Sequence, residues 1–282
     1  MHELREMITV ILISGPSGSG KSTLAISLTD RILLVAAAHA PPTITNTTTT
    51  TVTCIHQDDY FTMPFLPYNE RKDLSSYESQ DGIDWLQMKK SIQTTIAAAT
   101  ERNRYNNHYQ HHHHVMIVEG HMLGAAGDMF HDMDTYIGYD YLQDGDGGAT
   151  DATAGAKDKM QMQIVLLSVL ISCPMEICRQ RRLSRQSRSD SEMVQLEHYF
   201  DHFVWPGFVE FGRPAMQALR NNGMLGTTSG TCSTMSSSTT TCITSDTSQG
   251  TLTSTVVEIS TEDHDSLERN LIHILQSSSM LL

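Results

Sequence analysis

The chain has 282 residues, 39% of them hydrophobic, which suffices for one large α/β domain or two small ones with a sizeable core. A formal net charge of −13 argues against a nucleic-acid or anionic-membrane partner, since either would need a strong local basic patch. The five cysteines are an odd number without C-x-x-C spacing, so reduced thiols in a reducing compartment are expected rather than a disulfide frame or a zinc site.

The opening MHELREM has no charged-then-apolar-then-small leader pattern, and no apolar run approaches the ~18 residues that span a bilayer, so a soluble, cytoplasmic protein is expected. Residues 8–14 are short, apolar and β-branched and read as the first core strand. GPSGSGKST follows at once and matches G-x-x-x-x-G-K-[ST], with a helical pattern over 21–32 behind it. In that context Gly15, Gly18 and Gly20 let the backbone approach phosphate oxygens, whose charge meets N–H groups and the positive end of the helix. Lys21 supplies a point charge for the β- and γ-phosphates, Ser22 is the expected Mg²⁺ ligand, and Thr23 completes the nucleotide-binding set. The alternative is a Gly/Ser-rich turn with no ligand.

A second strand over 51–56 runs into QDDYF, which puts Asp58 and Asp59 at a strand's C-terminal end, the edge where doubly wound sheets bind ligands. A carboxylate there can take the proton of a hydroxyl attacking the γ-phosphate, or position Mg²⁺ through water; the alternative is a helix N-cap with a solvated neighbour. A helix over 84–99 leads to a third strand, 115–118, closed by Glu119, which faces the metal in P-loop folds or is an ordinary strand-end acid. After a fourth strand at 164–172, a helix over 174–185 opens a run holding Arg179, Arg181, Arg182, Arg185 and Arg188. Arg181, Arg182 and Arg185 share one helical face and can converge on one anion, as a lid closing over ATP would require; the alternative is a solvated basic face. A helix over 199–222, a fifth strand at 255–259 and a helix over 264–276 complete the alternation, which predicts an α/β fold with a five-stranded parallel sheet covered on both faces.

Four biased stretches, 41–51, 100–114, 144–159 and 223–250, are too polar to bury and read as disordered or loosely held insertions in a single domain. The histidine run 111–114 reads as a solvated polar loop rather than a metal site, because adjacent side chains point in different directions.

The blocks GPSGSGKST, QDDYF, VEG, RQRRLSR and YFDHFVWP, taken together and in this order, resemble the nicotinamide riboside kinases among the uridine-kinase-like P-loop enzymes, over about half of the chain. YESQDGIDW at 77–85 is similar to the family's aromatic-Asp-x-Pro-x-x-Ile-Asp-Trp segment, with Glu78 at the aspartate. The resemblance implies a three-layer P-loop kinase fold with an arginine-bearing lid, ATP as co-substrate with Mg²⁺, and a small-molecule nucleoside phosphorylated on its 5′-hydroxyl. It implies Asp58 as general base and metal-shell ligand, acting with Lys21 and Glu119, and Asp59, Tyr60 and Phe61 as the lining of the nucleoside pocket. Tyr77 would stack on the cationic nicotinamide ring and Glu78 would hold the ribose hydroxyls, with Asp81 as the other candidate. Arg182 would reach the substrate, and Arg181 and Arg185 would serve ATP. Residues 186–189 (QSRS) carry no aromatic where the family has a second one, which keeps a pyrimidine nucleoside or another small alcohol open as acceptor. A nucleotide-binding regulator, with the Ser/Thr-rich stretch recruiting partners, is the non-enzymatic alternative. These residues leave the oligomeric state open.

Overall fold

The first strand carries apolar side chains on both faces, the pattern of a strand with partners on both edges and cover on both sides. The computed structural model describes residues 5–38, 49–71, 77–105, 112–129, 161–185, 188–222, 233–235, 238–247 and 250–260. In it β1 (Arg5–Ser14) lies between β3 (His112–Gly120) and β4 (Gln161–Ser172) and is parallel to both. β2 (Thr49–His56) pairs in parallel with β3, and β7 (Gly250–Ser260) with β4. The five expected parallel strands are therefore present.

The sheet does not stop there. β6 (Ser238–Thr247) pairs antiparallel with β7, and β5 (Ser233–Met235) with β6, giving seven strands in the order β2-β3-β1-β4-β7-β6-β5. The added pair comes from the Ser/Thr-rich stretch expected as a loose insertion. Its threonines are β-branched, and β7 would otherwise present a row of unpaired backbone groups for a returning chain to satisfy.

Alternation along the strands divides the core into two layers. On one face Ile11, Ile13, Val115, Ile117 and Val169 pack against α1 (Lys21–Ala38), which buries Leu24, Ala25, Leu28 and Ile32 at helical spacing. On the other, Val10, Leu12, Met116 and Val118 meet Met88, Ile92, Ile96 and Ala99 of α2 (Trp85–Tyr105). Helices thus cover both faces. α2 takes in residues 100–105, and β3 takes in 112–114, both parts of a stretch expected as an insertion. His113 and His114 are strand residues because the ladder holds their backbone on both sides and threonines hold their rings. His113 Nε2 lies 2.9 Å from Thr9 Oγ1, and His114 Nδ1 lies 2.7 Å from Thr51 Oγ1.

After β4 come α3 (Met175–Ser184) and α4 (Asp190–Tyr199). α4 begins well before the expected residue 199. A capping box sets that start: Ser189 Oγ accepts from the Glu192 backbone N–H, and the Glu192 carboxylate accepts from the Ser189 N–H. The helical path continues through π turns at Phe200–Val204 and Phe208–Gly212, on either side of Trp205–Gly207, into α5 (Arg213–Asn222), whose Leu219 joins the core on the α2 side. Trp205 N–H donates to the Phe200 carbonyl and Arg213 N–H to the Phe208 carbonyl, five residues back in each case. The stretch 144–159, residues 41–48 and the helix expected over 264–276 lie outside the described residues. Among those described, Cys54, Cys173 and Cys178 are free thiols and no helix is long and apolar enough to cross a membrane.

Two substitutions separate core packing from capping. Leu28→Ala, at a fully buried side chain, should cost about 2–5 kcal/mol in urea denaturation. Ser189→Ala should cost about 1 kcal/mol.

Candidate functional site

β1 pairs Ser14 with Gly120 on one side and Leu170 on the other, and β2 pairs His56 with Glu119. The loop leaving β1 therefore emerges beside the acid that closes β3. Gly18 and Gly20 have φ of 89° and 95°, the left-handed region that favours glycine. A Cβ at Gly18 would also lie 2.4 Å from the Cys178 carbonyl oxygen, so α3 seats against the loop only because that side chain is absent.

Within the loop Lys21 Nζ donates to the Pro16 carbonyl at 3.0 Å, and Ser22 Oγ donates to Glu119 Oε1 at 2.8 Å. His56 Nδ1 reaches the same carboxylate oxygen at 2.9 Å. Burial pushes the Lys21 ammonium below its ordinary range, while the Glu119 and Asp58 carboxylates pull it back. The hydroxyls of Ser14 and Ser19 are buried without a hydrogen-bond partner. A hydroxyl beside a carboxylate is the hard-oxygen donor set that suits Mg²⁺, which completes its shell with phosphate oxygens and water rather than with a closed protein cage. No three His, Cys, Asp or Glu residues gather as a metal cluster among the described residues.

The arginines divide between two tasks. Arg182 Nη1 donates to Ser17 Oγ and Arg181 Nη1 to the Ser19 carbonyl at 3.4 Å, so both reach the loop. Arg185 lies close enough to disfavour the Lys21 charge. Arg179 instead turns away and forms a two-pronged pair with Asp201 at 2.9 and 3.2 Å, with Glu197 at 3.3 Å. It ties α3 to the YFDHFVWP segment.

At the end of β2 the chain turns through Gln57–Tyr60. Asp58 and Asp59 are exposed, and Asp58 acts electrostatically on Lys21, Glu78 and His121. Tyr60 and Phe61, partly buried, pack against the buried cluster around Ile83 and Met122. Glu78 is 7% exposed, accepts from Tyr199 Oη at 3.1 Å, and lies 3.9 Å from His121 Nε2. Burial pushes its carboxyl up; Arg182 and the Tyr199 hydroxyl hold it down. A Cβ on Gly207 would lie 2.5 Å from Glu78 Cβ, so the helix must carry glycine there for Glu78 to approach. Asp81, the other candidate for the ribose, is exposed.

Tyr77 is buried, and Phe65 stacks on it with ring centroids 5.5 Å apart and planes 8° from parallel. Its hydroxyl donates to the Pro64 carbonyl and accepts from Leu66 N–H at 2.9 Å. The Arg71 guanidinium also lies against its ring, at 4.6 Å. The ring expected to meet a ligand thus meets Phe65 and Arg71. Three residues of this region escaped sequence reasoning. His121 directly follows the VEG block, and Tyr199 lay inside a quoted block without a role of its own. Arg71 carried no signal in the sequence. Beside the loop, a cavity of about 730 Å³ opens between Pro16, Cys173, Pro174, Trp205, Arg220 and Glu258.

Burial holds His113 and His121 down to about 4, with His114 adding to the first and Lys21 to the second. An unfolded histidine protonates near about 6.5. Between those pH values the unfolded chain binds protons that the folded chain refuses, so stability falls as pH falls through that window. Glu78, raised in the folded state, has the opposite sign: what it contributes is present at low pH and is lost as pH rises. His113→Gln should flatten the histidine window by up to about 1.4 kcal/mol per pH unit, read by urea denaturation at a series of pH values. No protein-family model matches this chain and no curated protein matches it, so a functional reading rests on these residues.

Proposed function

We propose that this chain is an ATP- and Mg²⁺-dependent kinase that phosphorylates the 5′-hydroxyl of a small nucleoside, with nicotinamide riboside as the acceptor. The observation that carries the reading is the Ser22–Glu119 hydrogen bond of 2.8 Å beside Lys21, at the mouth of a glycine-rich loop between β1 and α1. A phosphate-binding loop, a metal-suited oxygen pair and a cation converge there on one point. The likeness to nicotinamide riboside kinases in the QDDYF, RQRRLSR and YFDHFVWP blocks supports the choice of acceptor.

In this mechanism the loop N–H groups and the start of α1 hold the phosphates of ATP, and Lys21 leaves the Pro16 carbonyl to meet the β- and γ-oxygens. Ser22 and Glu119, with Asp58 in the shell, would hold Mg²⁺, which when bound offsets phosphate charge. Asp58 accepts the proton of the attacking hydroxyl as the oxygen forms its bond to the γ-phosphorus and ADP departs. Glu78, steadied by Tyr199, accepts hydrogen bonds from the sugar hydroxyls. Arg181 and Arg182, already on the loop, neutralise charge on the transferring group. The cavity between Pro16 and Glu258 has the volume of a small-ligand site and suits the adenine end.

A second acceptor class has one observation in its favour. Phe65 and Arg71 already lie against Tyr77, which leaves less of that ring for a pyridinium and favours a pyrimidine nucleoside.

Purified protein with ATP, Mg²⁺ and a nucleoside panel should turn over nicotinamide riboside; turnover of uridine alone would move the assignment to the second class. Asp58→Ala should lower kcat by about 10²–10⁴-fold with ATP affinity kept within a few-fold. Unchanged turnover in that variant would remove Asp58 as the base. Chelation of Mg²⁺ should abolish turnover and restored Mg²⁺ should return it, whereas Glu119→Gln should raise the Mg²⁺ concentration needed for half-maximal rate.

A further inference from the structure

Two of the described thiols touch at the start of α3. Pro174 is the N-cap of this helix, so Cys173 stands one position before the cap and Cys178 is the fourth helical residue. Side chains at these two positions meet across the first turn, the arrangement of a hydrophobic staple. Both are buried in one cluster with Tyr199, Phe200 and Val204, and the Cys178 thiol is hydrogen-bonded to that of Cys173. Aliphatic side chains serve such a staple for packing alone, whereas two sulfurs in contact can also be joined.

The surroundings of the two thiols differ. Cys178 is buried, and burial pushes its thiol up, with the hydrogen bond to Cys173 adding to that. Cys173 lines the cavity beside Pro16, where a small solute can reach it, and its Sγ lies 4.0 Å from Arg181 Nη1. A guanidinium beside a thiol favours the thiolate, which is the nucleophilic form. Both ends of the pair also bear on the loop. Arg181, beside Cys173, donates to the Ser19 carbonyl, and the Cys178 carbonyl packs so closely on Gly18 that no Cβ fits between them.

We infer that Cys173 and Cys178 form a redox pair that a peroxide closes to a disulfide, and that closure weakens the hold of the loop on a nucleotide. The second half rests on reading the loop as an ATP site. The Cys173 thiolate attacks one peroxide oxygen, the O–O bond breaks, and the departing hydroxide takes up the thiol proton to leave a sulfenic acid and water. The Cys178 sulfur then attacks the Cys173 sulfur. An S–S bond forms as the S–O bond breaks, and the Cys178 proton leaves with the hydroxide as a second water. Two thiols and one hydrogen peroxide thus give one disulfide and two waters, each sulfur losing one electron and the peroxide oxygens gaining both. An added thiol reverses the bond by exchange. The S–S bond is about 2.05 Å long, shorter than a hydrogen-bonded contact between sulfurs. Closure therefore draws Cys178 toward Cys173, moves its carbonyl against Gly18, and removes the thiolate beside Arg181.

The test exposes the reduced full chain to hydrogen peroxide, alkylates it after unfolding, and maps the tryptic peptide 160–179, which carries both thiols between the cleavage sites at Lys159 and Arg179. Apart from oxygen added at its methionines, that peptide should lose two hydrogens in mass, take up no alkylating reagent, and regain both thiols with dithiothreitol. Cys178→Ser should stop the reaction at a Cys173 sulfenic acid trapped by dimedone, whereas Cys173→Ser should leave Cys178 reduced. By calorimetry, the disulfide form should bind ATP about 5- to 150-fold more weakly than the reduced form, and peroxide should not alter the ATP affinity of Cys173→Ser. Both thiols still alkylated after peroxide, or disulfides to other cysteines in place of this one, would overturn the inference. So would a disulfide form that binds ATP as tightly as the reduced one. A chain that forms the disulfide yet binds ATP in neither state would sink the ATP reading and leave the redox pair standing. ATP binding with both thiols free after peroxide would sink the pair alone.

Discussion

β1 has no free edge. With β3 on one side and β4 on the other, both parallel and in fixed register, the chain can leave β1 only at Ser14, between Gly120 and Leu170. Everything at the candidate site follows from that exit. The acid of β3 stands on one flank of the loop, and the helix that grows from β4, with its arginines, stands on the other. Had β1 been an edge strand, one flank would be solvent, and either Glu119 or Arg181 would be out of reach.

The charges at this exit restrain one another. Burial drives Lys21 toward its neutral form and Glu78 toward its protonated form. Each is held back by opposite charge, Lys21 by Glu119 and Asp58, Glu78 by Arg182. In a chain of net charge −13, the cations gathered on the loop are a local reversal of the overall field. An entering polyphosphate would meet cations whose present partners are loop oxygens and carboxylates, and so it would exchange one set of acceptors for another rather than neutralise bare charge.

The parallel core was legible because it depends on patterns of short range: a strand's alternation, the glycine spacing of 15–20 and helix signals at Lys21. The loop and Glu119 lie beside one another, and Arg181 and Arg182 of α3 reach the loop. What escaped depends on tertiary partners that leave no periodic trace. The histidines of β3 look like loop residues until Thr9 and Thr51 are seen opposite them. The Ser/Thr-rich stretch becomes strand only because β7 offers an edge. Helical spacing left Arg179 off the face shared by Arg181, Arg182 and Arg185, but its partners Glu197 and Asp201, distant in sequence, left no trace there. The start of α4 is a different case, since Ser189 and Glu192 already spell a capping box.

The two π turns in the helix from Asp190 to Asn222 carry a consequence for how that rod is phased. Each π turn accommodates one more residue than an α turn, and so offsets the angular position of all that follows by about 100°. Twenty residues of uninterrupted α-helix would put Tyr199, ahead of both turns, and Leu219, beyond both, about 200° apart; the two offsets return them to one side, Tyr199 on Glu78 and Leu219 on the core. The inserted residues thus retime the rod, bringing side chains at distant stations back to one side without a bend in the axis. Its aromatic sequence, Phe-Asp-His-Phe-Val-Trp-Pro, is then a timing element as much as a packing one. Pro206, which has no N–H to give, sits between the two turns, where the α ladder is already interrupted.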